Sequence, residues 1–140
     1  MKNIGIWIDK EQADIITVNQ ENDDMITVVS EVENFRAHGG SGTRLKGGPQ
    51  DVVQDSKFLE REKHQFKVYF KKIIPFIKDA DNIVIYGPAE AGEKLYKELN
   101  DNYKEISIKV RDVLKADSMT ENQTKALIRS YFKESKKGVV

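Results

Sequence analysis

Up to about residue 32 the apolar residues of this chain recur with the period of a strand, and from about Ser56 onward helical periods alternate with short apolar runs. That succession constrains the fold more than any single motif, because a strand presents alternate residues to one face while a helix presents every third or fourth. Ile4, Ile6 and Ile8 alternate with Gly5 and Trp7 and predict a first strand ending before Asp9. Asp9 to Gln12 reads as a tight turn. Ala13 to Asn19 and Met25 to Val32, rich in Ile, Val and Thr and separated by Gln20-Glu21-Asn22-Asp23, complete an antiparallel meander.

The helical signal begins at about Ser56 and runs to Asp79, with Leu59, Phe66, Phe70, Ile73, Ile74 and Ile77 inward and Lys63, Lys67, Lys71 and Lys78 outward. Pro75 is expected to kink that helix or end its regular part, since it lacks an N–H and collides with the preceding turn. Asn82 to Tyr86 is a short apolar run, the signature of a buried central strand, and Gly87-Pro88 turns directly into a helix from Ala89 to about Asn100. Ile106 to Val110 alternates and is assigned a fifth strand. A capping box formed by Ser118 with Glu121, or by Thr120 with Gln123, opens a last helix through about Glu134, with Leu127, Ile128, Tyr131 and Phe132 inward. The order βββαβαβα predicts an α/β chain with a mixed five-stranded sheet and helices on both faces, the succession of the ribonuclease-H-like fold. At 140 residues the chain is expected to form one domain, residues 1–140, interrupted only by a long loop at about 34–56.

That loop is the compositional anomaly. Asn34 to Gln50, NFRAHGGSGTRLKGGPQ, holds five of the nine glycines together with Arg36, His38, Arg44 and Lys46, and no acid, in a chain with 23 acids, 23 Lys and Arg, and zero net charge. Glycines let backbone N–H groups approach a ligand closely, and an uncompensated basic cluster attracts anions, phosphate first among them. Arg36, His38, Gly39, Gly40, Gly42, Arg44, Lys46, Gly47 and Gly48 are the candidate phosphate or RNA contacts, with His64 on the following helix. A solvated connection of the same composition is the competing reading.

Other chemistry is poorly supplied. There is no cysteine and His38 and His64 are the only histidines, so no metal site and no cofactor is expected. No apolar run reaches the ~20 residues of a membrane span, and the N-terminus lacks a signal-peptide core, so a cytoplasmic protein without membrane contact is expected. Asp9, with Glu60 or Glu62, would start a carboxylate cluster for metal-dependent phosphodiester hydrolysis, but Tyr86-Gly87-Pro88 stands where a further carboxylate is wanted. Asp9 also reads simply as a turn residue. The Gly87-Pro88 junction offers N–H groups to a phosphate but lacks a nucleotide-binding lysine and hydroxyl. Lys125, Arg129, Lys133 and Lys137 form an i, i+4 stripe, read as a solvated face before an RNA contact.

The run from Phe35 through HGGSGTRLKGGPQ into FLEREKHQFKVYFKKI and on to NIVIYGPAEAGEKLYKEL resembles the middle domain of archaeal and eukaryotic class-1 peptide-chain release factors and of Pelota. It is similar as well to small stand-alone bacterial relatives of that domain, some described as translational machinery or host attachment proteins. The resemblance covers most of the chain and rests on the basic glycine loop leading into Glu62-Lys63-His64, and on the strand followed by Gly87-Pro88. It implies a ribosome or tRNA partner and a role in translation quality control, rescue or termination. In release factors the loop carries a Gly-Gly-Gln tripeptide that helps water attack the peptidyl-tRNA ester. Here Ser41 follows Gly39-Gly40, and Pro49 separates Gly47-Gly48 from Gln50, so the tripeptide is not intact. Gln50 is the remaining candidate for ester hydrolysis; Pelota lacks the tripeptide and acts in rescue without cleaving the ester. An isolated middle domain is expected to use another protein, an oligomer or a different docking site; a separate reading is a non-catalytic protein-interaction module, a homodimer formed through an exposed sheet edge or the helix around Tyr69.

Overall fold

The computed structural model describes residues 2–19, 23–30, 48–88 and 90–139, with side chains over 2–19, 23–30, 59–88 and 90–133. The three predicted N-terminal strands are β1 (Asn3–Ile8), β2 (Gln12–Val18) and β3 (Asp24–Val29). They are followed by α1 (Gly48–Ile77), β4 (Asn82–Gly87), α2 (Ala91–Asn102), a one-turn α3 (Lys104–Ser107), β5 (Val110–Lys115) and α4 (Glu121–Val139). One five-stranded sheet has the order β3-β2-β1-β4-β5. β1 pairs antiparallel with β2 and β2 with β3, whereas β4 runs parallel to both β1 and β5.

The two central strands show why their composition is so apolar. Ile4, Ile6 and Ile8 of β1 and Ile83 and Ile85 of β4 face Phe66, Tyr69, Phe70, Ile73 and Ile77 of α1 and Leu95 and Leu99 of α2. On the opposite face Trp7 and Ile16 join Val84 and Tyr86 under Ile128 and Phe132 of α4. Both sides of β1 and β4 are therefore dry, as strands in a helix-sheathed parallel arrangement must be. Gly5 is the point of closest approach: a Cβ there would stand 2.3 Å from Ile128 Cγ2. Trp7 reaches past that helix, donating its Nε1–H to the Ala116 carbonyl at 3.2 Å.

Several expected boundaries move. The strand assigned to Ile106–Val110 lies further on, at Val110–Lys115, because Ile106 is buried in the one-turn α3 and the ladder with β4 starts at Val110 opposite Ile83. Pro75 does not end the helix at its own position, which continues to Ile77 with Lys78 N–H donating to Ile74 O at 3.0 Å. Full burial of Ile77 keeps the chain helical there, and the donor that proline lacks falls close to the end, where few intrahelical bonds remain to lose. Leu59, expected to face inward, is 58% exposed, whereas Glu62 and Phe66 further along α1 are buried. For α4 the alternatives resolve to Thr120 with Gln123: Thr120 N–H donates to Gln123 Oε1 at 3.0 Å and Gln123 N–H to Thr120 Oγ1 at 3.2 Å. With its N-terminus capped in this reciprocal way, α4 runs to Val139, beyond the expected Glu134.

Candidate nucleic-acid interface

The carboxyl ends of the parallel strands β1 and β4 lie side by side, with Trp7 opposite Tyr86. In α/β sheets that edge is where connecting segments and ligands gather. β1 leaves it through the predicted turn, in which Asp9 Oδ1 accepts from the N–H groups of Glu11 at 2.8 Å and Gln12 at 2.9 Å. The turn is fixed to α1 by Tyr69, whose hydroxyl donates to the Asp9 carbonyl at 3.0 Å. Burial, reinforced by the carboxylates of Asp9 and Asp14, pushes the Tyr69 hydroxyl far above the usual phenol range, so it stays a donor. The same turn holds the end of β3: Ser30 N–H donates to the Glu11 carbonyl at 2.9 Å, and its hydroxyl donates to the Lys10 carbonyl.

Immediately after that anchor the chain enters the basic glycine segment. Arg36, His38, Gly39, Gly40, Gly42, Arg44, Lys46 and Gly47 lie outside the described residues. Gly48 opens α1 and Gln50 belongs to its first turn, so residues 48–56 are helical rather than part of the expected loop. Pro49 suits that position because its missing N–H is not required in a first turn, and the following residues contain no breaker to stop the helix growing back from its packed half.

Glu62 is the main charged group of this edge. Its side chain is only 11% exposed and meets Lys10 Nζ at 2.8 Å and Lys94 Nζ at 3.9 Å. Lys94 also lies 3.8 Å from Glu90 and 4.8 Å from the centre of the Phe66 ring. A carboxylate placed among two ammonium groups locks the β1–β2 turn, α1 and α2 together. Neither Lys10 nor Lys94 was singled out from the sequence. Each is far from Glu62 along the chain, and only the β1–β4 pairing brings them together. Asp9 is likewise engaged in its turn, and no group of three His, Cys, Asp or Glu side chains able to hold a metal ion occurs among the described residues.

His64 is exposed and stands on the rim of an open groove of about 1040 Å³ between α1 and α2, with Phe66 and Phe70 as floor and Lys67, Lys97 and Asp101 on its walls. Both signs of charge line it. Gly87, read as one end of a possible phosphate cradle, has a tertiary reason of its own: a Cβ would lie 2.4 Å from the Ile8 carbonyl oxygen. Within the basic stripe of α4, Lys125 pairs with Glu121 at 3.1 Å. Arg129 turns back to the sheet, donating to both oxygens of Asp23 and, at 3.0 Å, to the Asn19 carbonyl. On that face Tyr131 donates its hydroxyl to Asp112, and burial with this bond raises its ionisation well above the ordinary value.

Comparison with solved structures gives this architecture a counterpart. The chain is similar to Archaeoglobus fulgidus Pelota at 14% identity and a TM-score of 0.53, over 86% of this chain and 28% of that one. For Thermoplasma acidophilum Pelota the values are 17%, 0.53, 87% and 30%. It shares the fold of part of Pelota. An archaeal translation termination factor, aRF1, aligns at 11% identity over 99% of this chain and 41% of its own, with a TM-score of 0.49. The sequence matches no protein-family profile and no curated protein. The chain thus spans under a third of the length of the two Pelota structures. No helix among the described residues is long and apolar enough to cross a membrane.

Proposed function

We propose that this chain is a translation-related factor that binds a ribosomal or tRNA surface through its basic glycine segment, in quality control, rescue or a termination-like process. The observation that carries the reading is the fold shared with part of two Pelota structures over 86% and 87% of the chain. The composition of the segment supports it: Arg36, Arg44 and Lys46 would meet phosphates while Gly39, Gly40, Gly42, Gly47 and Gly48 let the backbone approach. His38 and His64 would add donors. The fastening of Ser30 and the start of α1 at Gly48 favour the same role, because they tie both ends of the segment to elements of the core.

The chain works in this reading in the cytoplasm, without cofactor or ester cleavage. In co-sedimentation with ribosomes, binding falls steeply with added salt. Replacing Arg36, Arg44 and Lys46 together by Ala lowers affinity and reduces the logarithmic salt slope by roughly 2–3, the value for three lost phosphate contacts. Unchanged affinity and slope in that triple variant would remove the segment from the mechanism. Peptidyl-tRNA release that depends on Gln50 would replace the binding role with a catalytic one.

A further inference from the structure

We propose that β3 is a dimerisation edge, at which two copies of this chain join their sheets through antiparallel β3–β3 pairing centred on Thr27. This goes beyond the RNA reading and stands apart from the glycine segment. β3 pairs with β2 on one side, and among the described residues no strand pairs with its outer side. The direction of its backbone groups follows from two hydrogen bonds. Ser30 N–H points to Glu11 on the β2 side, so by alternation Val28 and Ile26 also point inward while Val29, Thr27 and Met25 point outward. Val29 confirms the alternation, since its carbonyl is met from outside by Lys72 Nζ at 3.2 Å.

The edge is apolar on the α1 side. There Ile26 is 43% exposed, and Val68 at 42% and Phe76 at 40% share with Lys72 one i, i+4 stripe of α1 beside it; Val29, 62% exposed, projects to the α4 side with Met25. Half of the large hydrophobic side chains that are exposed among the described residues therefore border one strand. A second copy is the occupant that the sequence fits. In the register with Thr27 opposite its own copy, Ile26 meets Val28, Met25 meets Val29 and Asp24 meets Ser30, so within residues 24–30 no like charges face each other. The outward groups of Met25, Thr27 and Val29 then close hydrogen bonds, and the Val29 carbonyl can keep Lys72 on its second lone pair. The other edge strand, β5, is unsuited: centring on Asp112 sets that carboxylate against its copy, and centring on Val113 sets Arg111 against Lys115.

Because the chain contains no cysteine, the register can be read directly. A hydrogen-bonded antiparallel pair has Cα atoms about 5.5 Å apart, within the ~4.4–6.8 Å range of a disulfide. Under mild oxidation Thr27→Cys forms a covalent dimer and Leu114→Cys, on β5, does not. By sedimentation the unmodified protein shifts to twice the chain mass as concentration rises. Thr27→Pro, which removes an outward N–H and leaves the β2 ladder intact, raises the dissociation constant roughly tenfold or more. Ile26→Lys has the same effect while keeping the bond from Thr27 Oγ1 to Asp14 at 2.9 Å, so it serves should the proline variant fail to fold. A protein that stays monomeric up to its solubility limit, dimers that survive Ile26→Lys, or equal cross-linking through Leu114→Cys would each overturn the proposal.

Discussion

Replacing Gly5 by alanine tests how closely α4 is seated on the sheet. Gly5 lies mid-strand in β1, opposite Ile16 of β2 and Val84 of β4, and its missing side chain is the space into which Ile128 fits. A methyl group there would lie 2.3 Å from Ile128 Cγ2 and 2.6 Å from both Cγ1 and Cδ1. Ordinary carbon contacts are about 3.5–4.0 Å, so Ile128 must withdraw by about 1 Å or more. It has nowhere to turn: it is fully buried, and a β-branched side chain on a helix is nearly confined to one rotamer. The helix must shift, loosening Phe132 from Trp7 and Tyr86. Overpacking of this kind costs about 1–3 kcal/mol, against a gain of about 0.4–1 kcal/mol from the stiffer unfolded chain. The net expectation is a loss of about 1–2 kcal/mol in urea denaturation, seen as a lower midpoint at unchanged slope. Ile128→Ala alone should cost about 2–5 kcal/mol through its cavity, but the new methyl partly fills that cavity, so the double variant should fall short of the sum by about 1 kcal/mol or more. A neutral Gly5→Ala, or additivity within about 0.5 kcal/mol, would refute this account of the interface.

Arg129→Ala should destabilise by about 1–3 kcal/mol in the same assay, because Asp23, only 8% exposed at its side chain, loses a two-point partner at 2.6 and 3.1 Å. Arg129→Lys should recover less than half of that, since an ammonium cannot span both oxygens; a change within about 0.5 kcal/mol for the alanine variant would count against the contact. Tyr69 gives a pH dependence of definite sign. Its folded-state ionisation is raised, so above about pH 10 the unfolded chain releases this proton first and stability falls by up to about 1.4 kcal/mol per pH unit. Tyr69→Phe should cost about 1 kcal/mol near neutrality, through the lost bond to Asp9, and should flatten the alkaline decline; an unchanged decline would show that Tyr69 does not carry it.

Much of this was legible in local sequence. Alternating isoleucines marked β1, the bounded apolar run marked β4, and a pair of overlapping capping boxes, Ser118 with Glu121 or Thr120 with Gln123, marked the start of α4, because each signal acts through neighbours a few residues away. The boundary of β5 was not. ISIKV alternates and VRDVLK does not, so pattern favours the wrong segment and only the parallel ladder with β4 selects the right one. Arg129 shows the same limit from another direction: an i, i+4 basic stripe is a solvated face by pattern, yet one member is drawn to Asp23 across the sheet.

The sequence by itself determined the fold class and the basic, acid-free stretch from Asn34 to Gln50, since hydrophobic period and composition are properties of the chain alone. Tertiary structure alone decided that Glu62 would be held between Lys10 and Lys94, that Gly5 would admit Ile128, and that β3 would end the strand order among the described residues. Those depend on which strand lies beside which, and strand order joins residues whose separation along the chain leaves no local trace.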